Sequence, residues 1–246
     1  MDRLIYTAMT GANASLHRQA VLSNNLANAS TNGFRAELAT TRAVPLRGDG
    51  ATTRVFTLEA TAGHLDLPGP AQRTGRSLDV MATGKAWFAV QGLDGVEAYT
   101  RNGSLEVGAD GTLQTTTGLP VLSDGGAPIT VPNGAELAFG SDGTVTARVS
   151  GQPPSNIGRL KMVTPTADDP LQRGDDGLFR AASGNPLAND ALARLMPGVL
   201  EGSNVNPVET MVGMIEAARQ FEQQMRLLQT AESNDRSAGQ LLSLQG

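Results

Sequence analysis

Only two imidazoles, His17 and His64, occur in this 246-residue chain, and neither has a second histidine or a cysteine at metal-ligand spacing. His17 reads as a polar helix residue and His64 as a loop residue, so no metal-binding residue is expected. Cysteine is absent, which excludes disulfides and thiolate metal sites and leaves the redox compartment open. The acidic pairs Asp168-Asp169 and Asp175-Asp176 have the chemistry of a general acid and base, as in a glycosidase. Pro170 and Gly174 beside them favour solvated loops instead. The chain lacks the nucleophile elbow G-x-S-x-G, the phosphate-cradling G-x-x-x-x-G-K-S/T, and G-x-G-x-x-G after a strand. The expectation is a protein with no catalytic residue and no cofactor, and not an enzyme.

Six Asx-Gly dipeptides then carry the largest signal: Asp94-Gly95, Asn102-Gly103, Asp110-Gly111, Asp124-Gly125, Asn133-Gly134 and Asp142-Gly143. Their spacing lacks the alternating ligands of a calcium loop. They fit tight turns, because Asn, Asp and Gly tolerate the left-handed backbone such turns need. Between them lie short β-type runs, including Trp87 to Val90 and Ile129 to Val131, with Arg159 to Val163 and Leu178 to Ala181 further on. A mainly antiparallel all-β domain over 79–196 is predicted, without a clean internal repeat. Residues 36–78, with Pro45, Gly48, Gly50, Gly63, Pro68, Gly69 and Pro70 around a strand-like Thr52 to Leu58, read as a linker region with some β structure.

The two ends differ from this centre. In the first, Ile5, Met9, Ala12 and Leu16 fall on one helical face, beside a small-residue strip of Leu4, Ala8, Gly11 and Ser15. That helix should stop near Asn28, before Ser30-Thr31-Asn32-Gly33. The C-terminal helix should begin at Pro207, with Asn206 as cap and Glu209 three residues on, as in a capping box. Met211, Met214, Ala218, Phe221, Met225 and Leu228 then alternate spacings of three and four, a seam for a partner helix. Val212, Ile215 and Leu227 lie off that seam, so one partner would leave apolar surface in water. The fold class is α+β: long N- and C-terminal helices (1–35 and 197–246) pairing as a coiled-coil-like terminal domain, around the central β domain. Both ends are expected to be largely disordered in the free monomer and to become helical only when several subunits stack.

Composition narrows the partners. A net charge of −5 without a basic cluster argues against nucleic acid. The longest apolar run, Ala86 to Val90, is far shorter than a membrane span, so no membrane insertion is expected. The start, Met1 to Tyr6, has no basic segment followed by an apolar stretch, and no cleaved secretory signal is read there. Asn13-Ala14-Ser15, Asn28-Ala29-Ser30 and Asn102-Gly103-Ser104 match the glycosylation sequon but lack that signal. One Trp and two Tyr offer little platform for a carbohydrate-binding module or adhesin.

Three stretches together resemble the flagellar rod and hook family of bacteria. They are Leu22-Ser23-Asn24-Asn25-Leu26-Ala27-Asn28 with Ser30-Thr31-Asn32-Gly33-Phe34-Arg35; the central Leu78-Asp79-Val80, Trp87 to Val90, Tyr99-Thr100-Arg101-Asn102-Gly103, Asp110-Gly111 and Gly118 to Leu122; and Gly198 to Asn206. Ile5 to Met9, Phe34 to Ala36, Asn206 to Glu209 and Ala218 to Glu222 look most like its proximal-rod members, with distal-rod members the nearest competitor. The resemblance implies a structural subunit of the basal body, in the rod crossing the periplasm, that transmits torque. It implies export by the flagellar type III apparatus without signal cleavage, and partners that are other copies of itself and other rod proteins. Assembly would rest on Ile5, Met9, Ala12, Leu16, Leu22 and Leu26 with Met211, Met214, Ala218, Phe221, Met225 and Leu228.

Overall fold

The structure is a computed structural model that describes residues 2–45 and 55–243. Two compact units share the chain: one takes residues 1–29, 36–65 and 205–246, the other residues 30–35 and 66–204.

The first unit contains α1 (Asp2–Ala27), β1 (Glu37–Pro45), β2 (Val55–His64) and the C-terminal helix α2 (Pro207–Ser243). At the start of α2 the Asn206 Oδ1 accepts from the N–H groups of Val208 (3.1 Å) and Glu209 (3.4 Å). Pro207 needs no acceptor at the first helical position, and Glu209 puts negative charge beside the positive end of the helix dipole. Asn28 closes α1, its N–H reaching both Asn24 O and Asn25 O.

The helices run antiparallel. Gly11 faces Gln224, Gly213 faces Leu22, and Arg18 lies 3.9 Å from Glu216, so numbers rise on one helix as they fall on the other. A Cβ on Gly11 would stand 3.1 Å from the Gln224 side chain, and one on Gly213 3.3 Å from Leu22. Small side chains occupy the contact: Ala8, Ala12 and Ser15 are buried on α1, and Thr210, Ala217 and Ala231 on α2.

Residues 36–65, read from sequence as part of a linker region with some β structure, supply the strand pair β1 and β2 to this unit. β1 and β2 pair antiparallel from Glu37 with His64 to Pro45 with Val55, with a bulge between Leu38 and Thr40. Of the strand-like Thr52 to Leu58, residues 52–54 lie outside the described residues and Val55–Leu58 lie in β2; Gly48 and Gly50 likewise lie outside them. Asn25 ties the hairpin to α1: its amide donates to Glu37 O (2.9 Å) and accepts from Glu37 N–H (2.8 Å), imitating a strand neighbour.

In chain order the second unit comprises β3 (Ala71–Arg73), β4 (Val80–Ala82), β5 (Trp87–Gln91), β6 (Glu97–Thr100), β7 (Leu105–Val107), β8 (Leu113–Thr115), β9 (Glu136–Phe139), β10 (Thr144–Arg148), β11 (Ser155–Arg159), β12 (Met162–Val163), β13 (Leu171–Arg173), β14 (Phe179–Ala181), β15 (Leu195–Pro197) and β16 (Val199–Glu201). Every pairing is antiparallel, the largest sheet running β12-β5-β6-β14-β13 and a second β11-β10-β9. The strand period of two divides β5 between two cores. Phe88 and Val90 join Leu113, Val121, Val145 and Leu160; Trp87 and Ala89 join Tyr99, Val163, Leu171 and Phe179. Ile129 to Val131 is not a regular strand. Its Thr130 makes one isolated bridge to Thr112, while Ile129 and Val131 are buried.

One turn recurs that a search for long repeats passes over. Gly92, Gly108, Gly140 and Gly174 each begin a Gly-x-Asp-Gly-x segment. In all four the first Gly N–H donates to the fifth residue's carbonyl, and the second Gly, at positive φ, donates back to the first. The Asp Oδ1 accepts the fifth residue's N–H. A single local solution thus closes four hairpins, which is why short strands with few aromatics keep register.

Candidate functional site

In the first unit the sequence-selected residues divide by exposure. Ala12 is buried, while Ile5, Leu22, Leu26, Met214, Ala218, Phe221 and Leu228 are half-buried. Met9 (49%), Leu16 (47%), Met211 (50%) and Met225 (39%) are exposed, each with about two-fifths to half of its surface in water. The seam between α1 and α2 runs through Thr210, Met214, Ala217, Phe221, Gln224, Leu228 and Ala231, none of them fully exposed. Met211, Ala218 and Met225 therefore sit one position around the helix from it. Of the residues selected by periodicity, Met214, Phe221 and Leu228 lie on the seam, where they alternate with the smaller Thr210, Ala217 and Ala231.

Tyr6, Val208, Val212, Ile215 and Leu227 are also exposed. On α2, Val208, Met211, Val212 and Ile215 are spaced as one apolar patch over the first turns. Their burial against another apolar surface would release about 25 cal/mol per Å². A cleft among α1, β1 and α2, by contrast, is lined by Ser15, Arg18, Thr41, Gln220, Gln223 and Gln224. The helix pair thus has a wet surface and an apolar one. Chemically the apolar face is suited to packing against another apolar surface.

The second unit holds a buried ionic clasp. Arg35, Arg101 and Glu201 are almost wholly closed off from solvent. Arg35 Nη1 lies 2.6 Å from Glu201 Oε1 and Arg101 Nε 3.0 Å from Glu201 Oε2, ion-pair contacts without the alignment of hydrogen bonds. Gly69 N–H donates to Glu201 Oε1 (3.0 Å), and Gly33 N–H to the Glu201 carbonyl (2.7 Å). Arg101 donates onward to the carbonyls of Ala82, Ala86 and Gly84. Both guanidinium groups sit over Trp87, 5.8 and 5.6 Å from the ring centre. Burial lowers the Arg101 pKa from its ordinary range; the Glu201 charge opposes that shift and Arg35 reinforces it.

Backbone contacts close the clasp. Gly33 has φ +70°, and a Cβ there would lie 2.4 Å from the Arg101 carbonyl carbon; one on Gly69 would lie 2.0 Å from Gly202 O. Asn204 N–H donates to Phe34 O (3.2 Å). The segment that follows α1 in the chain and the segment that precedes α2 are therefore held side by side. Sequence reading quoted Arg35, Arg101 and Glu201 within three separate motifs and missed that they meet. The usable signal was a lone charge within two residues of a glycine in each stretch.

The acidic pairs do not form a catalytic site. Asp169 accepts from the Ser183 hydroxyl (2.7 Å) and N–H (2.9 Å), and Asp176 from Arg180. These hydrogen bonds, from the Ser183 hydroxyl and from Arg180 respectively, hold both carboxyls below the usual range. A general acid needs the opposite shift. Among the described residues no group of three or more His, Asp or Glu could hold a metal, and no helix is long and apolar enough to cross a membrane.

Three family models match along the chain: a flagella basal body rod protein model over residues 5–35, the flagellar hook protein FlgE/F/G D1 domain over 81–147, and the C-terminal region of the flagellar basal body rod FlgEFG proteins over 196–241. The flagellar basal-body rod protein FlgF of Salmonella typhimurium is 48% identical, covering 99% of this chain and 100% of the relative. The Escherichia coli FlgF is 47% identical with the same coverage. A FlgG protein of Buchnera aphidicola is 31% identical over 96% of this chain and 98% of its own.

Proposed function

The chain belongs to the FlgF group of flagellar basal-body rod proteins, and we propose that it builds the proximal rod by burying the exposed apolar stripes of α1 and α2 against neighbouring subunits. It is a structural subunit of the flagellar basal body, not an enzyme, and its partners are other rod proteins and copies of itself. The finer reading adds three points: the rod spans the periplasm, the subunit reaches it through the flagellar type III apparatus, and it carries torque. In that reading the helices at 1–35 and 197–246 line an inner tube as coiled-coil-like pairs.

One observation carries the interface: Met9, Leu16, Met211, Val212, Ile215 and Met225 stay in water although their helices are already paired within the chain. Contiguous exposed apolar patches, such as Val208, Met211, Val212 and Ile215 on α2, mark interaction sites. Met214, Phe221 and Leu228 lie on the α1–α2 seam, and Ile5, Ala12, Leu22, Leu26 and Ala218 are likewise buried or half-buried, less open than the stripes. The cap of Asn206, Pro207 and Glu209 fixes where the α2 patch begins. FlgG relatives match at lower identity than the FlgF relatives above, which weighs against a distal-rod assignment.

Phe221 faces the intrachain seam, so a charge there would disturb the helix pair itself. Ile215→Asp is the cleaner test, because Ile215 is exposed. The variant should fold, be exported, and fail to enter rods, with loss of motility. Normal rods and motility would contradict the proposed interface.

A further inference from the structure

The chain has three Asn-Gly pairs, Asn32-Gly33, Asn102-Gly103 and Asn133-Gly134. Glycine after asparagine leaves the following backbone nitrogen unshielded by a Cβ, so that nitrogen can attack the side-chain amide carbon. The fold protects two of the three. Gly33 is buried and its N–H is held by the Glu201 carbonyl at 2.7 Å. Asn102 Oδ1 accepts from Ser104 N–H (3.1 Å), and Gly103 is packed so closely that a Cβ would stand 1.7 Å from Val80 O.

Asn133-Gly134 is different in each respect. The pair forms the centre of a turn closed by Ala135 N–H on Pro132 O (3.2 Å), with Gly134 at φ +72°. In such a turn the central N–H takes no part in the closing hydrogen bond. Both residues are exposed, and nothing lies within 4 Å of the position a Gly134 Cβ would take. Among the described residues no hydrogen bond holds the Asn133 amide or the Gly134 N–H.

We infer that Asn133 is a site of spontaneous deamidation in the folded protein. The Gly134 nitrogen forms a bond to Asn133 Cγ, the Cγ–Nδ2 bond breaks, and ammonia leaves with the proton that Gly134 gives up. Water then opens the cyclic imide. Attack at Cγ gives aspartate; attack at the main-chain carbonyl carbon gives isoaspartate, whose backbone runs through the former side chain. The net change is one amide and one water exchanged for a carboxylate and ammonium. It adds negative charge close to Glu136 on a chain already at −5. The turn touches little, so the surrounding β unit keeps its fold.

The Asp-Gly pairs compete poorly. An ionised carboxylate is a weak electrophile, and in the four repeated turns its Oδ1 is held by the N–H two residues on.

Incubation of the full chain at mildly alkaline pH, followed by peptide mapping, tests the inference. The peptide containing Asn133 should gain the mass of an amide-to-acid exchange and split into aspartyl and isoaspartyl forms. The peptides with Asn32 and Asn102 should lag by about tenfold or more, the factor that about 1.4 kcal/mol of extra barrier imposes. In denaturant all three should react at similar rates. Asn133→Gln should abolish the shift while leaving circular dichroism unchanged. An unchanged Asn133 peptide, or equal rates at the three pairs in the folded chain, would overturn the assignment. So would the same ranking in denaturant, because the protection would then not come from the fold.

Discussion

The Arg35 guanidinium lies 2.6 Å from the carboxylate of Glu201, with both side chains closed off from water. The pair joins a residue eight positions past the end of α1 to one six positions before the start of α2. Arg101 completes it from the β sheet side of the same unit, leaving two cations on one buried anion. Such a group specifies one arrangement mainly because every alternative leaves a charge unpaired.

Removing the anion should therefore be costly. Glu201→Gln removes the carboxylate that both buried guanidinium groups touch and should lower the stability of the β unit by about 3 to 5 kcal/mol. Denaturant unfolding followed by Trp87 fluorescence reads this directly, since both arginines lie over that ring. A loss below 1 kcal/mol, on the scale of surface substitutions, would show the clasp to be dispensable.

Gly33→Ala attacks the same point through the backbone. Its Cβ would collide with Arg101 at 2.4 Å from a φ of +70°. The expected loss exceeds about 1 kcal/mol, more than the few tenths to 1 kcal/mol that Gly to Ala gains at unstrained positions. The same unfolding assay checks it, and a stabilised variant would contradict the packing described.

At the other unit, Asn206→Ala removes the acceptor of two N–H groups at the start of α2. A loss of about 1 kcal/mol is expected, with Asn206→Asp retaining most of the stability. Thermal melts monitored by helix circular dichroism distinguish the two.

Tyr99 sets an alkaline limit. Burial raises its pKa well above the normal tyrosine range; the Leu187 N–H, which donates to its hydroxyl at 2.6 Å, opposes this, and Glu97 at 2.8 Å reinforces it. The folded pKa is raised, so the stabilisation is complete below the unfolded value of about 10. Above it the unfolded chain releases a proton that the folded chain keeps, and stability falls as pH rises. Tyr99→Phe should flatten the alkaline part of a stability-against-pH curve. An unchanged slope would mean that Tyr99 does not contribute.

The sequence made some of this legible. The Asn206-Pro207 start and the stop at Asn28 depend on local chemistry, and α2 and α1 begin and end within a residue of them. The Asx-Gly pairs pointed to antiparallel β structure for the same reason, because a turn is decided by its own few residues. The α1–α2 seam was harder. Met211 and Met225 are more apolar than Thr210 and Gln224, yet closeness between helices depends on size, and Gly11 and Gly213 mark where they approach. The β character of 36–78 was legible in the strand-like run that ends at Leu58, but its docking on α1 was not, because that depends on Asn25, a residue inside a helix. The clasp was hidden because Arg35, Arg101 and Glu201 are far apart in the chain, and no periodicity links single charges.

The central claim is that the apolar stripes left bare by the α1–α2 pair are covered by neighbouring subunits. A density map of the intact basal body, with this chain placed in its rod, tests it most directly. The account predicts Met9, Leu16, Met211, Val212, Ile215 and Met225 buried against helices of adjacent subunits, with Gln220 and Gln223 less so. A map in which those apolar side chains face solvent would contradict it.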